Sequence, residues 1–160
     1  MTIRSMMAAA LAAALAFALA LPASAQLADR KALTLEAAKK IMAAAEAEAL
    51  KNKWPVAIAV VDEAGELLMM AKLDGTQPAS IDIAIGKART AARLKRETKV
   101  LEEAVTKGGR TVILSLPGVT PLEGGVPIKV GDQVVGAVGV SGVTSAQDAQ
   151  VAAAGVAVIK

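Results

Sequence analysis

The chain has 160 residues, a formal charge of +3 and 54% hydrophobic residues, yet no histidine, cysteine or tyrosine and a single tryptophan. That inventory excludes disulfide staples, Ser-His-Asp and Cys-His triads, and the usual zinc sites, so no metal centre is expected. The mild positive balance, with almost no rings on which bases could stack, argues against nucleic acid as a partner.

In chain order, Met1 to Ala25 has the form of a secretory signal peptide. Arg4 supplies the positive start, Met6–Leu21 is apolar, and Ala23-Ser24-Ala25 is a small-residue cleavage site before Gln26. The apolar run is short and alanine-rich for a spanning helix, which needs roughly 20 apolar residues. The absence of cysteine excludes a lipoprotein anchor. The expectation is an exported chain, periplasmic or secreted, that starts at Gln26 and has no membrane contact after cleavage. Residues 26–160 then form one ordinary domain.

Thr34 suits a helix N-cap, with Glu36 in the first turn and Leu35, Ala38, Met42, Ala45 and Ala49 on one stripe. Asn52 and Trp54-Pro55 end that helix. Val56–Asp62 alternates bulky Val56, Ile58 and Val60 with small Ala57 and Ala59, and a turn at Glu63-Ala64-Gly65 leads into a second strand, Glu66–Leu73. A helix from Ala79 or Ser80 to Lys95 carries Ile81, Ile85, Ala88 and Ala92 as its core face. Arg89, Arg93 and Arg96 flank that face, either as anion binders or as a solvated basic edge. Thr98 caps a shorter helix, Lys99–Thr106, and Arg110–Leu116 reads as a third strand. Val126–Val130 and Gln133–Val140 form a hairpin across Gly131-Asp132. Ser145 with Asp148 resembles a capping box for a last helix.

The strand Val134–Val140 places Val134, Val138 and Val140 on one face and Val135, Ala137 and Gly139 on the other. Gly136, Gly139 and Gly142 mark close approach, by packed backbone or by a ligand. Their spacing is neither a dinucleotide fingerprint nor a nucleophile elbow. The order α-β-β-α-α-β-β-β-α implies an α/β chain of the α+β type, with a five-stranded antiparallel sheet and helices packed on it.

Three stretches, PLEGGVPI at Pro121–Ile128, VVGAVGVSG at Val134–Gly142 and QDAQVAAAG at Gln147–Gly155, resemble the GlcG/HbpS-like family. Its usual pattern is PGGVPI, a short turn, VGAIGVSG, then QD and an alanine-rich helix. Here Glu123 precedes the glycine pair where many members carry proline or another residue. The resemblance covers essentially the whole chain after the signal. It implies a profilin-like core, a homo-oligomer and a small-molecule ligand, heme above all.

Strong axial ligation of heme uses His, Cys, Met or Tyr. Only methionine is present here, at Met42, Met69 and Met70, with Met69 and Met70 on opposite faces of their strand. Thr120 offers a weak oxygen contact in the signature loop. Heme is therefore expected to be held loosely, by apolar burial and arginine–propionate pairing. The residues the resemblance brings to such a site are Thr120, Glu123, Gly124, Gly125, Arg89, Met69 and Met70. An alternative it also allows is a lyase-like catabolic enzyme or accessory subunit, with Glu123 as acid/base and Arg89 or Lys87 as anion binder.

Overall fold

A computed structural model describes residues 30–159; the expected signal peptide and the expected start at Gln26 lie outside the described residues. No helix among them is long and apolar enough to cross a membrane. Helix α1, Leu35–Lys51, opens where Thr34 accepts the Ala37 N–H, and it buries Ala38, Ile41, Met42, Ala45 and Ala49. Leu35, expected on that stripe, is exposed. Strands β1, Ala57–Asp62, and β2, Leu67–Lys72, form the first hairpin. Helices α2, Ser80–Leu94, and α3, Thr98–Thr106, follow. The hairpin of β3, Gly125–Val130, and β4, Gln133–Ser141, leads into α4, Ser145–Val156.

The antiparallel sheet has the order β2-β1-β4-β3. Among the described residues it has four strands where the sequence implied five, with four α-helices packed on them. Arg110–Leu116 is the difference: residues Thr111–Ser115 form a 3-10 helix. The run TVIL has strand propensity, but a strand needs an edge to pair with. This segment instead satisfies its amides locally, Arg110 N–H to Ala104 O and Ile113 N–H to Arg110 O. Glycines with positive φ, Gly109 and Gly118, bracket it. Only Ile113 is buried, while Val112 and Leu114 are exposed.

The two sheet faces differ. Val56, Ile58, Val60, Ile128, Val138 and Val140 meet α1 and α4, and Ala57, Ala59, Val61 and Ala137 meet α2. Val135 joins the first face, against expectation. The β3–β4 register passes from Ile128↔Gly136 to Lys129↔Val134, so Val135 is the extra residue of a bulge and the alternation reverses there. On α2 the buried centre is Ala84, Ala88 and Ala91; Ile81 and Ile85 stand at its margin. A small-residue centre lets the helix lie close to the strands. A Cβ at Gly139 would collide with Ala84 O and the Ala88 amide. The strand glycines thus serve backbone packing.

Candidate functional site

The loop 117–125 crosses α2 on its way to β3. Thr120 donates its N–H to Thr90 Oγ1 at 2.8 Å, and a side chain at Gly86 would strike the Thr120 hydroxyl. Gly125 donates its N–H to Thr98 Oγ1 at 2.9 Å. Thr98 is therefore a loop anchor rather than the N-cap the sequence suggested; Glu97 holds that position without a side-chain bond. Gly124 needs its φ of +126°, and a Cβ there would lie 2.9 Å from Lys87 Nζ. The glycine pair thus lets the loop backbone rest on α2.

Between loop and helix lies a groove of 330 Å³ lined by Ile85, Gly86, Arg89, Arg93, Val119 and Thr120, with Asp82 and Gly118 completing it. Arg89 Nε donates to Gly65 O at 3.0 Å and Arg93 Nε to Ala64 O at 2.7 Å. Glu66 lies 3.3 Å from Arg93 and 3.9 Å from Arg89. The β1–β2 turn therefore orients both guanidiniums along the groove. That turn is itself tied by Asp62 Oδ1, which accepts the Ala64 and Glu66 N–H groups. Each arginine spends its Nε on the turn and keeps further donors, five per guanidinium in all. Arg96 is not part of this set: it lies past the end of α2 and lines a different groove.

The remaining sequence-derived candidates are dispersed. Glu123 accepts from Lys99 Nζ at 2.9 Å, and its N–H donates to the Glu102 carboxylate. That hydrogen bond and charge hold the Lys99 ammonium above the ordinary lysine pKa. Glu123 does not line the groove. Met69 and Met70 do fall on opposite faces, Met69 against the α1/α4 core and Met70 against the α2 core, and Met42 is buried in the former. None of the three lines the groove.

Lys87, considered above as an anion binder, is buried. Its Nζ donates to Asp148 Oδ2 at 2.8 Å and Val140 O at 2.9 Å. Asp148 also accepts the Val143 N–H, while the capping box forms one residue earlier, from Thr144 and Gln147. Burial pushes the Asp148 carboxyl above its ordinary range; the Lys87 hydrogen bond and charge oppose that shift. The pair joins the two helical layers, since α2 and α4 cover opposite sheet faces. Its signal was present in the sequence. Lys87 falls among Ala84, Ala88 and Ala91, and Asp148 among Val151, Ala152 and Gly155, so each is an ionisable residue at a core position of a helical repeat.

The family described as "Haem degrading protein HbpS-like" matches residues 33–157. Protein GlcG of Escherichia coli (strain K12) is 51% identical over 109 residues, which span 68% of this chain and 81% of that protein. An uncharacterized 15.0 kDa protein of the dhaT-dhaS intergenic region in Citrobacter freundii is 40% identical over 119 residues, 72% of this chain and 84% of its own. Among solved structures, a double mutant of Streptomyces reticuli HbpS has a TM-score of 0.77 at 36% identity, covering 88% of this chain and 98% of that one. The complex of PduOC with heme has a TM-score of 0.75 at 26% identity, covering 81% and 96%.

Proposed function

The chain belongs to the HbpS-like family, and on that premise we propose that it binds a carboxylate-bearing small molecule in the groove between α2 and the 117–125 loop. The observation that carries this reading is the pair Arg89 and Arg93, held by the carbonyls of Gly65 and Ala64 beside Thr120. Guanidiniums fixed in this way are suited to charge-assisted, bidentate capture of a carboxylate.

The heme complex of the similar PduOC makes heme the first ligand to test. The residues present fit heme in part only. Arg89 and Arg93 suit the propionates, and Ile85 and Val119 offer apolar contact. The iron finds no imidazole, thiolate or phenolate in this chain, and no methionine lines the groove. No chemistry at iron is therefore assigned to this protein. The groove, 330 Å³, is at the lower end of ligand clefts, about 300–1,000 Å³, so a macrocycle would stay largely exposed and weakly held.

Hemin titration tests the reading. A saturable absorbance change without a histidine-type spectrum is expected, and the absence of any change beyond that of free hemin would defeat the heme assignment. The proposal extends to export and to a homo-oligomer. Exposed Val112, Leu114, Leu116 and Leu122 form apolar surface that a second copy would cover. Sequencing of the N-terminus of secreted protein should begin at Gln26, and light scattering at micromolar concentration should exceed the monomer mass.

A further inference from the structure

A larger concavity lies at the far end of the β1–β2 hairpin from the α2 groove. There the end of α1, the start of β1 and the turn after β2 line an open groove of about 660 Å³. Its apolar lining is Leu50, Trp54, Pro55 and Leu73. Trp54 is the single tryptophan of the chain; it packs partly buried against the α1/α4 core while also lining this groove.

Three donor groups on the lining have no protein acceptor among the described residues. Neither Lys53 nor Lys72 forms an ion pair, and the indole N–H donates to nothing. Asp74 lines the groove too, which leaves one net positive charge. Lys53 holds a left-handed φ of 58°, a position glycine commonly takes after a helix. Lys95 does the same after α2, with φ 53°, so the helix dipole accounts for a cation at either end. What distinguishes Lys53 is the indole beside it and a second unpaired ammonium at Lys72.

The geometry points to a binding site for a planar aromatic carboxylate in this groove, separate from the groove on α2. Its ring would stack on the half-buried indole over Leu50, Pro55 and Leu73, and its carboxylate would meet the two ammoniums. An aromatic face alone would also suit a cation, but two unpaired lysines repel one. An aliphatic acid would satisfy the lysines and leave the apolar floor in water.

Because the chain has one tryptophan and no tyrosine, the indole N–H gives a single resonance that reports on this groove. Naphthoate added to the purified full chain should shift it saturably in a proton–nitrogen correlation spectrum. Acetate should not, and naphthalenemethanol should bind about tenfold more weakly, as loss of two exposed ion pairs implies. Lys53→Gln and Lys72→Gln, both at exposed positions, should each weaken naphthoate about three- to fivefold, with the other resonances unmoved as a check on folding. Arg89→Ala should leave naphthoate binding unchanged, which separates this site from the one on α2. No saturable shift, equal affinity for the alcohol, or an undiminished affinity in the double lysine variant would each overturn the assignment.

Discussion

The two faces of the sheet bury their surface by opposite means. Under α1 and α4 the strands present valine and isoleucine; under α2 they present mostly alanine, with Gly139 against the helix backbone. The first face is stabilised by apolar area, at roughly 25 cal/mol per Å² removed from water. The second has little side-chain area to bury and gains from dispersion contact between closely apposed backbones. Such closeness also gives α2 its functional use. A helix held near the strands can carry a loop directly on Gly86, and Lys87 can reach Asp148 of the opposite layer. The lean face, not the bulky one, carries the candidate site.

The strongest challenge to this contrast is the bond that joins the faces. Asp148→Ala should destabilise the protein by about 3–5 kcal/mol, because it leaves the Lys87 charge buried and unpaired. Replacing both partners, Lys87→Met with Asp148→Leu, should restore most of that loss in denaturant unfolding. A cost below about 1 kcal/mol for Asp148→Ala would mean that water reaches the lysine.

Neighbouring residues on β1 sharpen the comparison. Ile58→Ala should cost about 2–5 kcal/mol by opening a cavity under α1 and α4. Ala59→Val should cost about 1–3 kcal/mol for the opposite reason, overpacking beneath α2. If Ala59→Val is neutral in thermal unfolding, α2 is not packed as tightly as its alanines indicate.

Acid titration probes the same buried pair more gently. The Asp148 carboxyl is raised above its ordinary value when folded, so the folded state holds that proton more tightly than the unfolded chain does. The stability this contributes is complete below the unfolded pKa and is lost as pH rises through the folded pKa. Wild type should therefore gain on Asp148→Asn as pH falls from about 7 towards about 3, through the carboxylate range. Loss relative to the variant on acidification would show instead that the lysine dominates.

The smallest effect is expected at the groove itself. Arg89→Ala should change stability by less than about 1 kcal/mol, as its ion pair with Glu66 is exposed. It should nevertheless weaken hemin several-fold in the absorbance titration, while Arg96→Ala, beyond the groove, should not. Equal effects from the two would reduce the arginines to a diffuse basic edge.

Much of this architecture is carried by short-range pattern. The helix over Leu35–Lys51 with its Thr34 cap, both hairpins and their turns, and the family signature all follow from spacing and turn chemistry along a few residues. The alternation in β1 already separates a bulky face from a small one. Thr120 and Arg89 line one groove. Glu123, Met69 and Met70 do not join them: Glu123 is paired with Lys99, a partner the local sequence does not reveal, while strand alternation sends the two sulfurs to opposite cores.

By itself the sequence determined where the four α-helices and the two hairpins form, which face of β1 is bulky and which family pattern the loop follows, since those depend on local conformational preference and periodicity. Tertiary structure alone decided that Thr111–Ser115 coils as a 3-10 helix, that Val135 bulges onto the other face, and that Lys87 and Asp148 meet. A strand needs an edge, a bulge needs a partner register, and a buried charge needs its counterion. Each is supplied by residues distant in the chain, brought close only when α2 settles onto the alanine face and α4 onto the other.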